Sequence, residues 1–294
     1  MLCIVGADGF LGTYLQKHIF SSGISTPLLA LNHKDSVFPH MPYKTDMTFE
    51  LKDSDSVKRV AERLSVYDDI RILFLAAVHA PDIVRKDPDK AEYINTVCYE
   101  NFLNAIKGLD VTKLIYSSSD TVYGESIDGY SFSENDSTCP INIYGKQKLL
   151  AEKITLAHGY SVARYSYMCG KALSDRKKHF YDEISEKLSH GERVYMLTDW
   201  VRSSLSYKTA SEITLSLLLS DTEHRIVNIC SDSPTSKYDI GLKIAEKVNA
   251  DKGLVIPVTK KELNIFSEHR AEDIITDNTL IKSILGIDSI TLGL

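Results

Sequence analysis

Tyr144 and Lys148 stand four apart in the stretch Asn142-Ile143-Tyr144-Gly145-Lys146-Gln147-Lys148-Leu149-Leu150-Ala151-Glu152-Lys153. Pro140 precedes it, and only Gly145 interrupts it before Gly159, so the stretch predicts a helix. Residues four apart on a helix lie one above the other on the same face. A free phenol, with a pKa of about 10, is a poor proton carrier at neutral pH. An ammonium held beside it favours the phenolate. Lys148 is therefore expected to lower Tyr144 toward the range where general acid–base catalysis is efficient. Tyr-x-x-x-Lys pairs are common on solvated helices, so the elements around this one decide whether it is a site.

The first twelve residues supply such an element. Leu2-Cys3-Ile4-Val5 is a short apolar run suited to a buried parallel strand. It breaks into Gly6-Ala7-Asp8-Gly9-Phe10-Leu11-Gly12, and Thr13 to Phe20 then follows helical apolar spacing up to Gly23. The pattern G-x-x-G-x-x-G is longer by one residue in its first gap than the dinucleotide fingerprint. Its physics is the same: glycine permits a tight turn and a close approach, and a helix start offers free N–H groups to a pyrophosphate. A second strand is expected over Pro27 to Leu31, ending in Asn32-His33-Lys34. An acid there would hold the ribose 2′-hydroxyl of NAD, whereas a base accommodates a 2′-phosphate. With His33 and Lys34 present and no acid before Asp35, NADP(H) is favoured over NAD(H).

Further along, Asp46-Met47 and Glu50-Leu51 both suit the edge of an adenine pocket, and spacing does not choose between them. Arg71 to Val78 reads as a strand whose small Ala76 and Ala77 would let a cofactor lie close, with His79 just beyond. A helix is expected from Asp89 to about Lys107, its Asn95 bracing a neighbouring loop by hydrogen bonds. Lys113 to Tyr116 reads as another strand, running out into Ser117-Ser118-Ser119-Asp120-Thr121-Val122-Tyr123-Gly124. In an open parallel sheet, chemistry gathers at the C-terminal ends of the strands. A serine placed there can hydrogen-bond a substrate carbonyl oxygen as Tyr144 passes it a proton.

Composition narrows the setting. The chain has 294 residues, a net charge of -6 and a pI near 5.9, with no basic footprint for nucleic acid or an anionic membrane. Its five cysteines lack C-x-x-C spacing, which argues against both a zinc site and a disulfide framework, and no metal is expected. No 18-residue apolar run follows the short apolar start, so neither a signal peptide nor a span is read and the expected location is cytoplasmic.

Taken together, Gly6/Gly9/Gly12, Ser117-Ser118-Ser119, and Tyr144 with Lys148 resemble the extended short-chain dehydrogenase/reductase family, in its sugar-nucleotide branch. Ile226 to Cys230 and Ser236 to Ile240 look like that family's late strand and helix. The resemblance implies an α/β fold, a doubly wound Rossmann sheet with a smaller C-terminal substrate lobe. Residues 1–164 would form the NAD(P)-binding domain and 165–294 mainly the substrate lobe, with 225–250 returning to the sheet. It implies Ser119, Tyr144 and Lys148 as the catalytic group: Tyr144 the acid/base, Lys148 holding the nicotinamide ribose, Ser119 polarising the substrate oxygen. Cofactor contacts are expected at Gly6, Gly9, Phe10, Leu11, Gly12, Asn32, His33, Lys34, Ala76, Ala77, Val78, Ser117, Tyr144 and Lys148. A homodimer through helices near Asn95 and Tyr144 is also implied.

The residues beside Ser119 speak to the reaction. Sugar-nucleotide dehydratases resemble Thr-Asp-Glu here, and Ser119-Asp120-Thr121 lacks the glutamate, which disfavours dehydration. Epimerases resemble Ser-Ala-Thr-Val-Tyr-Gly, matching Thr121 to Gly124 but not Asp120. The 4-keto-sugar reductases resemble Thr-Asp-Tyr-Val-Phe, and Cys139 to Gly145 and Arg164 to Gly170 also look like reductase segments. A nucleotide-sugar reductase is thus favoured, with an epimerase holding NAD tightly and a non-catalytic relative as rivals. Substrate contacts are expected from His79, Asp120, Thr121, Tyr167 and Arg202, the last gripping a diphosphate bidentately. Arg270 and Trp200 are weaker candidates, and the basic run Lys171 to Lys178 is read as a loop over the pocket.

Overall fold

Successive residues of the first strand, Leu2–Val5 (β1), face opposite sides: Leu2 and Ile4 enter one apolar core, Cys3 and Val5 another. A strand buried on both faces must sit in the middle of a sheet covered by helices twice over. The computed structural model, which describes residues 1–33, 43–79, 81–174, 178–263 and 270–294, has that arrangement. The other strands of this sheet are Leu28–Asn32 (β2), Lys44–Thr48 (β3), Ile70–Phe74 (β4), Val111–Ser119 (β5), Ser161–Tyr165 (β6) and Ile226–Ile229 (β7). They lie in the order β3-β2-β1-β4-β5-β6-β7, and every neighbouring pair is parallel. This is the Rossmann doubly wound sheet, with its chain reversal beside β1.

The core under one face takes Leu15 and Ile19 from the helix Phe10–Ser21 and Leu215 and Leu218 from the helix Tyr207–Leu219. The latter helix, expected in the substrate lobe, thus belongs to the Rossmann layer. It is apolar over most of its circumference and needs both a helix and a sheet to cover it. Of the stretch 225–250, β7 joins the sheet, whereas the helix Lys237–Lys247 packs Ile240 and Ile244 into a separate small core with Ile184 and Met196. The smaller lobe also recruits Ser131–Phe132, which pairs with Asp273–Thr276 beside Val201–Arg202.

Two expected elements differ in form. β4 stops at Phe74; Leu75 still donates to the Val5 carbonyl at 2.9 Å, and Ala76 to Val78 leave the ladder. Asn95 holds that segment instead, accepting the Val78 N–H at 2.8 Å and donating to the Val78 carbonyl at 3.0 Å. The helix expected from Asp89 to Lys107 is Pro88–Glu92, a π-helical turn Tyr93–Cys98, and Tyr99–Ala105. Widened turns of this kind gather at functional positions, and this one carries Asn95. Tyr93, Val97 and Leu150 are exposed apolar residues on the helices where a self-contact is expected. Among the described residues no helix is long and apolar enough to cross a membrane.

Candidate active site

Asn142 starts the helix Ile143–Ala157 by accepting the Gly145 N–H at 2.8 Å. Glu152 bolts this helix to the sheet: it accepts both Arg164 of β6, at 2.9 and 2.7 Å, and the Ser118 hydroxyl of β5. Gly145 sits where the helix crosses the turn after β5. A Cβ there would lie 2.7 Å from the Thr121 carbonyl oxygen and 2.9 Å from Pro140 Cβ. Alanine normally gains about 0.5–1 kcal/mol over glycine inside a helix. Overpacking against a backbone carbonyl costs about 1–3 kcal/mol and outweighs that gain. Gly145→Ala is therefore expected to lower the denaturant midpoint, and an unchanged or raised midpoint would refute the close approach.

Tyr144, Lys148 and Ser119 meet at this crossing. The Lys148 ammonium donates to the Ser117 carbonyl at 2.7 Å and the Tyr116 hydroxyl at 3.2 Å, and lies 5.9 Å from the centre of the Tyr144 ring. Ser119 Oγ donates to Asp120 Oδ1 at 3.1 Å and accepts the Thr121 N–H at 3.3 Å. The electrostatics reverse the expectation for Tyr144. Burial, reinforced by the Asp120 carboxylate, pushes its phenol up, and a hydrogen bond with Ser119 opposes this only in part. Lys148 spends its charge on Ser117 and Tyr116 instead, and burial pushes its own pKa down to about 7, with Glu152 opposing. Tyr144 therefore stays protonated at neutral pH, as a proton donor must.

Beneath Ser119, Asp120 is 4% exposed, accepts from Ser166 at 3.0 Å and lies 3.9 Å from Arg202 Nε. Burial raises its pKa against the pull of Arg202 and the two serines. Asp120 is thus a support under the serine, not a group facing a substrate. Arg202 also departs from expectation. Its guanidinium is 3% exposed, donates to the carbonyls of Val201, Glu272 and Ala271 at 2.7, 2.7 and 3.0 Å, and stacks 4.2 Å from the Trp200 ring. Its donors are spent on the backbone, which leaves no fork for a diphosphate. Thr121 buries an unpartnered hydroxyl, and half-buried Tyr167 packs edge-on against Trp200 at 4.9 Å. Arg270 pairs with Asp82 across the two lobes.

A cavity of about 410 Å³ runs over the glycine turn. Of the residues expected at a cofactor, Gly6, Gly9, Phe10, His33, Ala76, Ala77 and Val78 line it, as does His79. Leu11 does not: it is buried in the core beneath the turn. Gly12 packs on Gly6 and Ala7, and Asn32 turns inward to donate to Ala30 and Asp46. Ser117 offers its carbonyl to Lys148. Lys34, with Arg176 and Lys177, lies outside the described residues. Glu50 and Leu51 line the cavity, whereas Asp46 is paired with Lys44 at 2.9 Å, which decides between those two pairs. Asp8, inside the glycine turn, lines it too, and Phe49 and Lys52 line it unannounced by any motif. The helix N-terminus at Gly9 has no side-chain cap and no acid in its first turn, which suits an anionic phosphate. Val78 is linked through Asn95 to Gln147 at 3.0 Å, so the cavity and the Tyr144 helix are braced together.

The profile of the RmlD substrate binding domain matches residues 1–288. The chain belongs to that family. Among curated relatives of this RmlD-family chain is methionine adenosyltransferase 2 subunit beta of Xenopus tropicalis, 25% identical over 276 residues, covering 87% of this chain and 74% of the relative. Another is dTDP-4-dehydrorhamnose reductase of Mycolicibacterium smegmatis, 28% identical over 156 residues, covering 53% of this chain and 41% of the relative. A solved dTDP-4-dehydrorhamnose reductase from Bacillus anthracis, in complex with NADP, superposes with a TM-score of 0.81 at 20% identity, covering 98% and 94% of the two chains. At that identity the superposition speaks for the fold alone.

Proposed function

We propose that this chain is a nicotinamide-dinucleotide-dependent oxidoreductase acting on a nucleotide-activated sugar, reducing a 4-keto group. The observation that carries the reading is the meeting of Ser119, Tyr144 and Lys148 at the carboxyl end of β5, braced to a cavity over a helix N-terminus with no side-chain cap. Gly6, Gly9 and Phe10 would hold the dinucleotide's pyrophosphate and Ala76 to Val78 its nicotinamide half. When bound, the nicotinamide supplies a hydride. Ser119 and Tyr144 then hold the keto oxygen, and Tyr144 gives it a proton; the phenolate that remains favours the charged form of Lys148 beside it. Relatives named as a dTDP-4-dehydrorhamnose reductase and a UDP-glucose 4-epimerase support the substrate class. The test is consumption of reduced nicotinamide absorbance with a panel of 4-keto nucleotide sugars. Consumption supports the reductase; interconversion of sugars without consumption moves the reading to an epimerase.

We infer that the adenosine end disfavours the NADP(H) expected from His33 and Lys34. The His33 ring lies 3.7 Å from Glu50, and the His33 backbone N–H donates to Asp8 at 3.2 Å. A 2′-phosphate arriving here would meet two carboxylates, Asp8 and Glu50, against one cation, Lys52, 4.0 Å from Glu50, so we read the cavity as favouring NAD(H). Two charges about 4 Å apart interact by about 1 kcal/mol in water-like surroundings. Glu50→Gln is accordingly expected to improve NADPH binding about fivefold relative to NADH. Titration of both cofactors checks it, and an unchanged ratio would remove Glu50 from the discrimination.

A second reading comes from the relatives named methionine adenosyltransferase 2 subunit beta, which match over most of this chain. Under it, the chain is a regulatory subunit that keeps the dinucleotide cavity for binding. It predicts dinucleotide affinity, no turnover with any keto sugar, and co-elution with a methionine adenosyltransferase catalytic subunit.

A further inference from the structure

Lys237 opens the helix Lys237–Lys247 with its ammonium set among three rings. Nζ lies 4.2 Å from the centre of Phe180 and 4.8 Å from both Tyr167 and Trp200. Among the described residues it has no hydrogen-bond acceptor and no carboxylate partner. Three aromatic faces attract a cation, at about 0.5–2 kcal/mol for each contact, but leave three N–H donors without oxygen acceptors. Two of the charges that act on it, Arg270 and Arg202, are cations, each set beside a carboxylate of its own, Asp82 and Asp120. Burial first, then Arg270 and Arg202, push the ammonium down to about 8, with only the buried Cys169 opposing. Lys237 also acts on His179, which burial pushes down to about 4. Asp182, the nearest acid to His179, is occupied by the Ala172 and His179 N–H groups.

The position of this ammonium matters as much as its lack of partners. Trp200 carries Lys237 on its ring and also Arg202, which reaches Asp120 directly beneath Ser119. Tyr167 follows Ser166, the other hydroxyl that holds Asp120. Lys237 is therefore one ring removed from the support of the candidate active site, on the side of the smaller lobe. His179 packs edge-on to Phe10 of the glycine turn at 4.9 Å. A half-buried cation with no acceptor among the described residues, and two arginines acting on it, is completed by an anion that brings both charge and oxygens.

We propose that Lys237, in place of Arg202, is the cation that receives the diphosphate of the substrate. The inference rests on the nucleotide-sugar reading for the identity of the anion, but not for the existence of the anion site. Lysine binds phosphate as a movable point charge, so a ring-lined seat that leaves its head free suits the task. Arg202, fixed by three carbonyls, holds the seat in place.

The experiment is calorimetric titration of the full chain with UDP, dTDP and inorganic pyrophosphate, in the wild type and in Lys237→Met, Lys237→Gln and Lys237→Arg. Loss of the charge is expected to weaken diphosphate binding at least about tenfold in the Met and Gln variants, and Lys237→Arg to restore most of it. Thermal midpoints identify any variant that fails to fold, and one folded neutral variant suffices. A folded neutral variant that binds as tightly as the wild type overturns the proposal. Wild-type binding of pyrophosphate through Lys237, without binding of either nucleotide, keeps the anion site and rejects the nucleotide-sugar reading. No binding of any of the three rejects both.

Discussion

Tyr144→Phe is expected to lower turnover by about 10²–10⁴-fold while leaving dinucleotide affinity unchanged. The substitution keeps the ring and removes only the hydroxyl that bonds to Ser119, the group proposed to give the proton. Loss of one hydrogen bond costs about 1 kcal/mol of stability, too little to unfold a domain and far too little to explain so large a loss of rate. Because burial and Asp120 raise the phenol, the wild-type donor is fully protonated at neutral pH, and a rate loss there is loss of the acid itself. The measurement is steady-state reduction of a 4-keto nucleotide sugar beside a titration with NADH. Equal rates for the two proteins would remove Tyr144 from the chemistry. If neither protein turns over while both bind NADH, the regulatory reading stands.

The second large effect is expected at Gly12. A Cβ there would lie 2.6 Å from the Gly6 carbonyl oxygen, 2.7 Å from that of Ala7 and 2.8 Å from the Ala7 carbonyl carbon. All three atoms are backbone, and the turn that carries them is pinned by Gln16, which donates to the Ala7 carbonyl at 2.7 Å. No flexible side chain can yield, so the helix Phe10–Ser21 must move off the turn. Gly12→Ala should cost about 1–3 kcal/mol of stability and weaken NADH binding at least about tenfold, since the helix N-terminus leaves its phosphate. Denaturant unfolding with a fluorescence titration of NADH checks both. Retained affinity would show that the helix start does not hold the pyrophosphate.

These two positions were legible because each rests on local spacing. A strand, a glycine turn and a helix read directly from Leu2 to Phe20, since backbone freedom and apolar period act within one short segment. The pairing of Tyr144 with Lys148 follows from helical geometry, and Asn95 was readable as a brace because an amide in a half-apolar helix must find partners. The electrostatics at Tyr144 were not readable in the same way. Four-residue spacing places an ammonium near a phenol, but cannot say that Ser117 and Tyr116 take its protons, or that Asp120 lies closer in effect.

What the sequence determined by itself was the α/β alternation, the glycine turn, and the serine, tyrosine and lysine on successive elements. Tertiary structure decided which charged groups remain available. Arg202 looked like the phosphate residue and is consumed by three carbonyls, Asp120 looked like a substrate contact and is buried under Ser119, and Lys237, which spacing did not single out, has no acceptor for its donors among the described residues. The reason is physical: a side chain's chemistry is set by the partners it has already satisfied, and these come from segments far apart in the chain, as Ala271 and Glu272 are from Arg202.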